Sequence, residues 1–209
     1  KDISLIYSEV PASAAAVYTT NLVKGAPLTV TKENISDGVA QAMICNSGNA
    51  NTCNADGIQI AEKMCALTEQ FTGISASDVI VASTGVIGQP LSTDPMEKAM
   101  PELVQLLSST GSTDAAHAIM TTDVALKETA LEFELGGKTC RIGGIAKGSG
   151  MIHPNMATML VFITTDASIS PALLQQALSD DVCDSFNMIS VDGDTSTNDM
   201  VTVMCNGMA

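Results

Sequence analysis

Two spacings of apolar residues alternate along this chain and sort it into strands and helices. "DISLIYSE" reads as a first strand, followed by the small-residue stretch "PASAAAVYTT". "QAMICNSGNAN" is a strand running into a glycine and asparagine loop; "DVIVAS" at 78–83 is a short buried strand that ends in another small-residue loop, "TGVIGQP". Between them, residues 57–71 set Ile60, Met64, Leu67 and Phe71 at helical spacing, forming one apolar face. Ser92, Thr93 and Asp94 offer caps for a helix through "MEKAMPELVQLL", which Pro101 is expected to kink or divide. "LEFEL" alternates, Gly136-Gly137 turns, and "TCRIGGIA" returns, the pattern of a hairpin. A further strand is expected over 158–165, and Ser170-Pro171 starts a helix through Phe186. Interleaved strands and helices predict an α/β or α+β fold, a layered arrangement of mixed sheets and helices in a single globular unit.

Composition narrows the function classes. The 209 residues carry 9 basic and 23 acidic side chains, a formal charge of −14, which opposes nucleic acid because such binding depends on cationic contacts to phosphate. No apolar run approaches the length of a membrane span, and a soluble cytoplasmic protein is expected. The first residue is Lys1, with no initiator methionine and no signal stretch, which suggests a clipped N-terminus. Six cysteines form no C-x-x-C pair and sit mostly inside apolar segments, so they read as small buried thiols in a reducing compartment. With only His117 and His153 present, a histidine-based metal site has little support.

Three strand ends run into loops of glycine and small polar residues, at 46–51, 83–88 and 143–150. Glycine lets backbone N–H groups approach a ligand closely. "GGIAKGSG" is not a Walker loop, because Gly148 separates Lys147 from Ser149. "DGDTSTND" at 192–199 faintly resembles a calcium loop, but Thr197 and Val203 stand where glycine and glutamate belong, so it reads as a tight polar turn.

The segment "AKGSGMIHPNMATMLVFITTD" at 146–166 carries the candidate chemistry. A threonine hydroxyl needs a base nearby to act as a nucleophile. Cutting the Ala157–Thr158 bond would supply one: the new α-amine, which titrates at about 7.7–8.0, against about 10.4 for a lysine. By the residues alone, Thr158 also fits a plain β-branched strand position.

The same segment, with "PASAAAVYTTN", "NSGNAN", "VASTGVIGQPL", "AIMTTD" and "SVDGDTSTND" in order along nearly the whole chain, resembles the ornithine acetyltransferase family, also called bifunctional glutamate N-acetyltransferase. The resemblance implies that Ala157 and Thr158 flank a self-cleavage site and that Thr158 is the nucleophile. It implies that Thr84 and Gly85 form the oxyanion hole and that Thr121 and Lys147 bind substrate, with the adjacent Thr122 an alternative to Thr121. The implied reaction moves an acetyl group from N2-acetyl-L-ornithine to L-glutamate in cyclic arginine biosynthesis. No metal or organic cofactor is implied, and acetyl-coenzyme A serves some members as donor. The implied partners are the remainder of the protein's own β chain and a second copy, two α and two β chains in all. Residues 1–157 would be the α portion and 158–209 the start of the β portion, with a pocket-completing glutamate and C-terminal polar residues supplied beyond Ala209. Two readings stand beside it: a self-processing amidase or aminopeptidase that passes the acyl group to water, and a catalytically incomplete assembly module.

Overall fold

A computed structural model describes residues 2–153 and 159–209. Its strands join one mixed seven-stranded sheet in the order β3-β2-β1-β7-β6-β5-β4. These are β1 (Ile3–Tyr18), β2 (Val39–Asn46), β3 (Val79–Ser83), β4 (Lys127–Leu135), β5 (Lys138–Lys147), β6 (Leu160–Thr165) and β7 (Met200–Cys205). Pairs β2–β3 and β6–β7 are parallel; β1 pairs antiparallel with both β2 and β7, as β5 does with β4 and β6. The mixed α/β class expected from the pattern is the one observed.

β1 is one long central strand where two segments were expected. Its register with β2 slips between Tyr7 and Ala12. Pro11 lies in that slip, so its missing N–H interrupts no ladder bond. Beyond it Ala12, Ala14, Ala15 and Ala16 are buried, side chains small enough to sit under packing on both faces.

Alternation distributes the core. Met43 and Cys45 of β2 join Phe162 and Met204 on one face, covered by the short helix α4 (Ser112–Ala118) through Ala116 and by the adjacent Ile119. On the other face Ala42 and Ile44 meet α1 (Ala26–Asn34) and α2 (Gly57–Thr72), while Val161, Val201 and Val203 meet α5 (Pro171–Asp184). Met64 and Leu67 of α2 are buried as its spacing predicted, with Ile60 and Phe71 only partly so. α3 (Asp94–Gln105) runs unbroken through Pro101. Both Pro101 and Glu97, whose carbonyl loses its helical partner, are exposed, so the break in the ladder lies on the solvent side of the helix.

The β3 edge is capped by side chains. The Thr31 hydroxyl donates to the Val81 carbonyl at 2.7 Å and accepts its N–H at 2.8 Å; Asn34 donates to the Val79 carbonyl at 2.8 Å. At the opposite edge the β4–β5 hairpin turns on Gly136 and Gly137, with φ of 61° and 81°. Helix α5 ends at Asp184, and residues Phe186–Met188 continue as a short 3-10 turn. Four cysteines are buried and two, Cys53 and Cys183, exposed; all are free thiols. Among the described residues no helix is long and apolar enough to cross a membrane.

Candidate active site

Lys147, the last residue of β5, is buried, with 5% of its surface exposed. Its ammonium lies 3.1 Å from the Thr84 hydroxyl, just past β3, and 2.8 Å from the Thr121 hydroxyl, just past α4. Residues far apart in sequence thus meet on one cation. An ammonium has donors and no acceptor, so both hydroxyl oxygens must accept from it. Their own O–H protons are thereby left to donate elsewhere. Thr122 turns a different way, sharing a hydrogen bond with the Ser149 hydroxyl at 2.8 Å.

Burial pulls the Lys147 pKa down, opposed by the charge of Asp123 above all. Asp123 anchors the neighbourhood: it accepts the Gly148 N–H at 2.7 Å, the Thr121 N–H at 3.3 Å and the Lys127 ammonium at 2.8 Å. Burial works against its charge, but those donors outweigh it and hold its carboxyl below the usual range. Cys45 is the thiol that acts electrostatically on Lys147, yet burial pushes it up to about 12, so it supplies no thiolate.

Gly85 has φ of +126°, and a Cβ there would stand 2.8 Å from the Gly48 carbonyl carbon and 2.9 Å from the Asn49 nitrogen. The strand-end loops 46–51 and 83–88 are therefore packed backbone to backbone. Their partners are the asparagines: Asn46 donates to the Asn49 carbonyl (2.9 Å) and the Ser83 hydroxyl (2.8 Å), and Asn49 to the Gln89 carbonyl (2.9 Å). Gly85→Ala is expected to cost about 2–3 kcal/mol of stability, since it combines a strained φ with a clash against main chain that cannot rotate away. Urea unfolding checks it, and an unchanged midpoint would refute the close approach.

Asn198, just before β7, ties this floor to the 192–199 segment. It donates to the Ala50 carbonyl at 2.6 Å and the Ser83 carbonyl at 2.9 Å, and accepts from the Thr52 and Thr197 hydroxyls, each at 2.6 Å. Its neighbour Asp199 is 1% exposed, and burial pushes its carboxyl up to about 8 against the Ser196 hydroxyl, the Met159 N–H and the Lys147 charge. Sequence reasoning passed over both, having taken 192–199 for a turn. The signal was position: a polar Asn-Asp pair directly before the apolar run "MVTVMC" has to enter the core with the strand.

Thr84 and Thr121 thus meet at Lys147, with Gly85 next to Thr84. Ala157 and Thr158 lie outside the described residues. His153 is exposed. A groove of about 1410 Å³ opens elsewhere, lined by α3, α4 and the exposed side of β1 and β5, and none of the candidate residues lines it. Among the described residues no group of three His, Cys, Asp or Glu side chains is placed to hold a metal ion.

The fold has counterparts among known proteins. The crystal structure of arginine biosynthesis bifunctional protein ArgJ from Bacillus halodurans superposes with a TM-score of 0.70 at 46% identity, over 75% of this chain and 83% of that one. Ornithine acetyltransferase from Mycobacterium tuberculosis, complexed with ornithine, superposes with a TM-score of 0.61 at 30% identity, over 76% and 84%. In sequence the chain is 52% identical over 210 residues to the ArgJ protein of Symbiobacterium thermophilum and 52% over 211 residues to that of Bacillus anthracis. All of this chain is covered in both, and 52% of each relative, so it spans about half their length. The ArgJ family model matches residues 1–209, and with identity at this level across every residue the chain belongs to the ArgJ family.

Proposed function

We propose that this chain carries the acyl-transfer site of an enzyme that moves acetyl from N2-acetyl-L-ornithine to L-glutamate, after cutting itself between Ala157 and Thr158. The observation that carries the reading is the convergence of Thr84, Thr121 and Lys147 on one buried ammonium. Thr84 was expected as an oxyanion donor and Thr121 and Lys147 as substrate ligands, and one shared ammonium is compatible with both tasks.

In the first step the Thr158 hydroxyl attacks the acetyl carbonyl, giving its proton to the Thr158 α-amine. The tetrahedral oxygen carries the developing charge, and the Thr84 hydroxyl and Gly85 N–H donate to it. Collapse breaks the carbon–nitrogen bond, the α-ammonium returns the proton to the departing ornithine amine, and acetyl remains as an ester on Thr158. Glutamate then reverses the sequence with its own amine. Lys147 and Thr121 hold the substrate carboxylate, a task that needs a local cation in a chain of net charge −14. The part of the relatives' length not spanned here would complete the pocket and the two-α, two-β assembly, in the cytoplasm. The reaction as written needs no cofactor, with acetyl-coenzyme A an alternative donor.

The test uses the chain extended to its relatives' length, supplied with N2-acetylornithine labelled in the acetyl group. Two fragments by intact mass, one starting at Thr158, with label in acetylglutamate, is the expected result. Label appearing only as acetate in the presence of glutamate would make the protein a hydrolase and end the transfer reading.

A further inference from the structure

The segment read from sequence as a polar turn grips the chain on both sides of residues 154–158. On the near side, Asp192 accepts the Met151 N–H at 2.6 Å and the Ile152 N–H at 2.8 Å, while the Ile152 carbonyl receives the Val191 N–H at 2.9 Å. Those bonds hold Met151 at φ of 59°, a left-handed conformation that a methionine side chain disfavours. On the far side, the Met159 N–H faces the Asp199 carboxylate, and the Met159 carbonyl accepts the Met200 N–H at 3.0 Å. The second oxygen of Asp199, Oδ2, is buried without a hydrogen-bond partner among the described residues.

We propose that Asp192 and Asp199 are positioning residues for the Thr158 step, a two-ended clamp that fixes the chain before and after the bond to be cut, with Asp199 holding the peptide that follows Thr158. The inference rests on the self-processing reading and adds to it the groups that set the geometry of attack. A hydroxyl attacking the carbonyl of its own preceding peptide has little slack, because both atoms belong to one short stretch of backbone. Misplacement by about 1 Å costs about a hundredfold in rate, so the flanks matter as much as the nucleophile.

The two ends of the clamp differ in how they respond to pH. Asp192 is exposed and held below the usual carboxylate range by the Met151 and Ile152 N–H groups, so it stays ionised. Asp199 changes charge near pH 8, and its ionised form is the stronger acceptor for the Met159 N–H. Lys147 at the end of β5 is the charge acting on Asp199; Asp123 and Cys45 act on Lys147, and the exposed His153 immediately precedes the segment. Before cleavage the Thr158 α-amine does not exist, so it contributes nothing to the pH dependence of the cut.

The experiment follows self-cleavage over time, by intact mass, in the chain extended to its relatives' length, freshly translated and shifted across a range spanning pH 8. The parent rate is expected to rise through about 8. Asp199→Asn keeps the shape and an acceptor oxygen, and is expected to cut slowly with no such rise. Asp192→Ala is expected to cut about a hundredfold more slowly with the parent's pH profile, and Asp192→Asn to recover part of that. Thermal melts of each variant separate slow cutting in a folded chain from loss of fold. Parent-like rates and profiles in Asp192→Ala and Asp199→Asn would overturn the clamp. So would a rise that persists in Asp199→Asn and disappears in His153→Gln. A parent chain that never cuts overturns the self-processing reading instead, and the clamp with it.

Discussion

Lys147→Met is expected to lower kcat for acetyl transfer by about a hundredfold to a thousandfold and to raise KM as well. The first effect comes through Thr84. Because the ammonium can only donate, its 3.1 Å contact fixes the Thr84 oxygen as acceptor and leaves the hydroxyl proton for the oxyanion. Without that anchor the hydroxyl is free to rotate, and the donor is present but not aimed. Removing one oxyanion donor costs about 2.7–4 kcal/mol of barrier, which sets the expected range. The second effect comes from charge. With −14 overall, a substrate carboxylate loses the buried cation that offsets the general repulsion. Methionine fills the volume of the lysine stem, so the comparison isolates the charge and its hydrogen bonds. Arginine is not a conservative replacement here, since its planar fork has no room at 5% exposure and would displace one of the two threonines. Steady-state kinetics on the full-length chain decide the matter. A kcat within threefold of the parent would mean that Thr84 is aimed by something else.

The loops around this site were legible in the sequence for a local reason, while the roles of Thr84, Gly85, Thr121 and Lys147 came from the family resemblance alone. Glycine and small polar residues clustered at strand ends mark places where backbone approaches backbone or ligand, and 46–51 and 83–88 do meet, at Gly48 and Gly85. Lys147 sits beside such a loop in a chain with only 9 basic residues. What stayed hidden depends on long-range pairing. Asp123 looks like a loop residue until Gly148 and Lys127 are seen to converge on it. Asn198 looks like one more turn asparagine until β7 carries it beneath Ala50 and Ser83. The hairpin and α2 followed their spacings. α1 did not, because "APLTVTKEN" is rich in β-branched residues and its helix depends on Thr31 and Asn34 capping the β3 edge. β1 was read as a strand followed by a small-residue stretch, because the slip that carries the strand past Pro11 depends on pairing with β2.

Asp199→Asn is expected to make the protein more stable, and more so as pH rises. A carboxyl whose pKa climbs from 3.8 in the unfolded chain to about 8 in the fold binds a proton more tightly when native. Below 3.8 it is protonated in both states and favours neither. Between those values the native state holds a proton that the unfolded state has released, so native stability falls with each step up in pH and levels off above about 8. The full loss is on the order of 5 kcal/mol, a large share of what a single domain has. Asparagine has no charge to bury and removes the slope. The carboxyls held low by hydrogen bonds, Asp123 and Asp192, change their contribution only as pH falls through the acid range, so they do not distort a comparison made above it. Urea unfolding of parent and Asp199→Asn from pH 5 upward should give a gap that widens with pH, with the variant flat and the parent descending. Parallel curves would show that Asp199 is solvated or paired in the native state and carries no such cost. The expected divergence bears on function, because asparagine fits the same space and both donors that face Asp199 have an acceptor in it. A residue that weakens the fold where a neutral isostere would not has to be explained by what its charge does next to Met159, one peptide from the nucleophile.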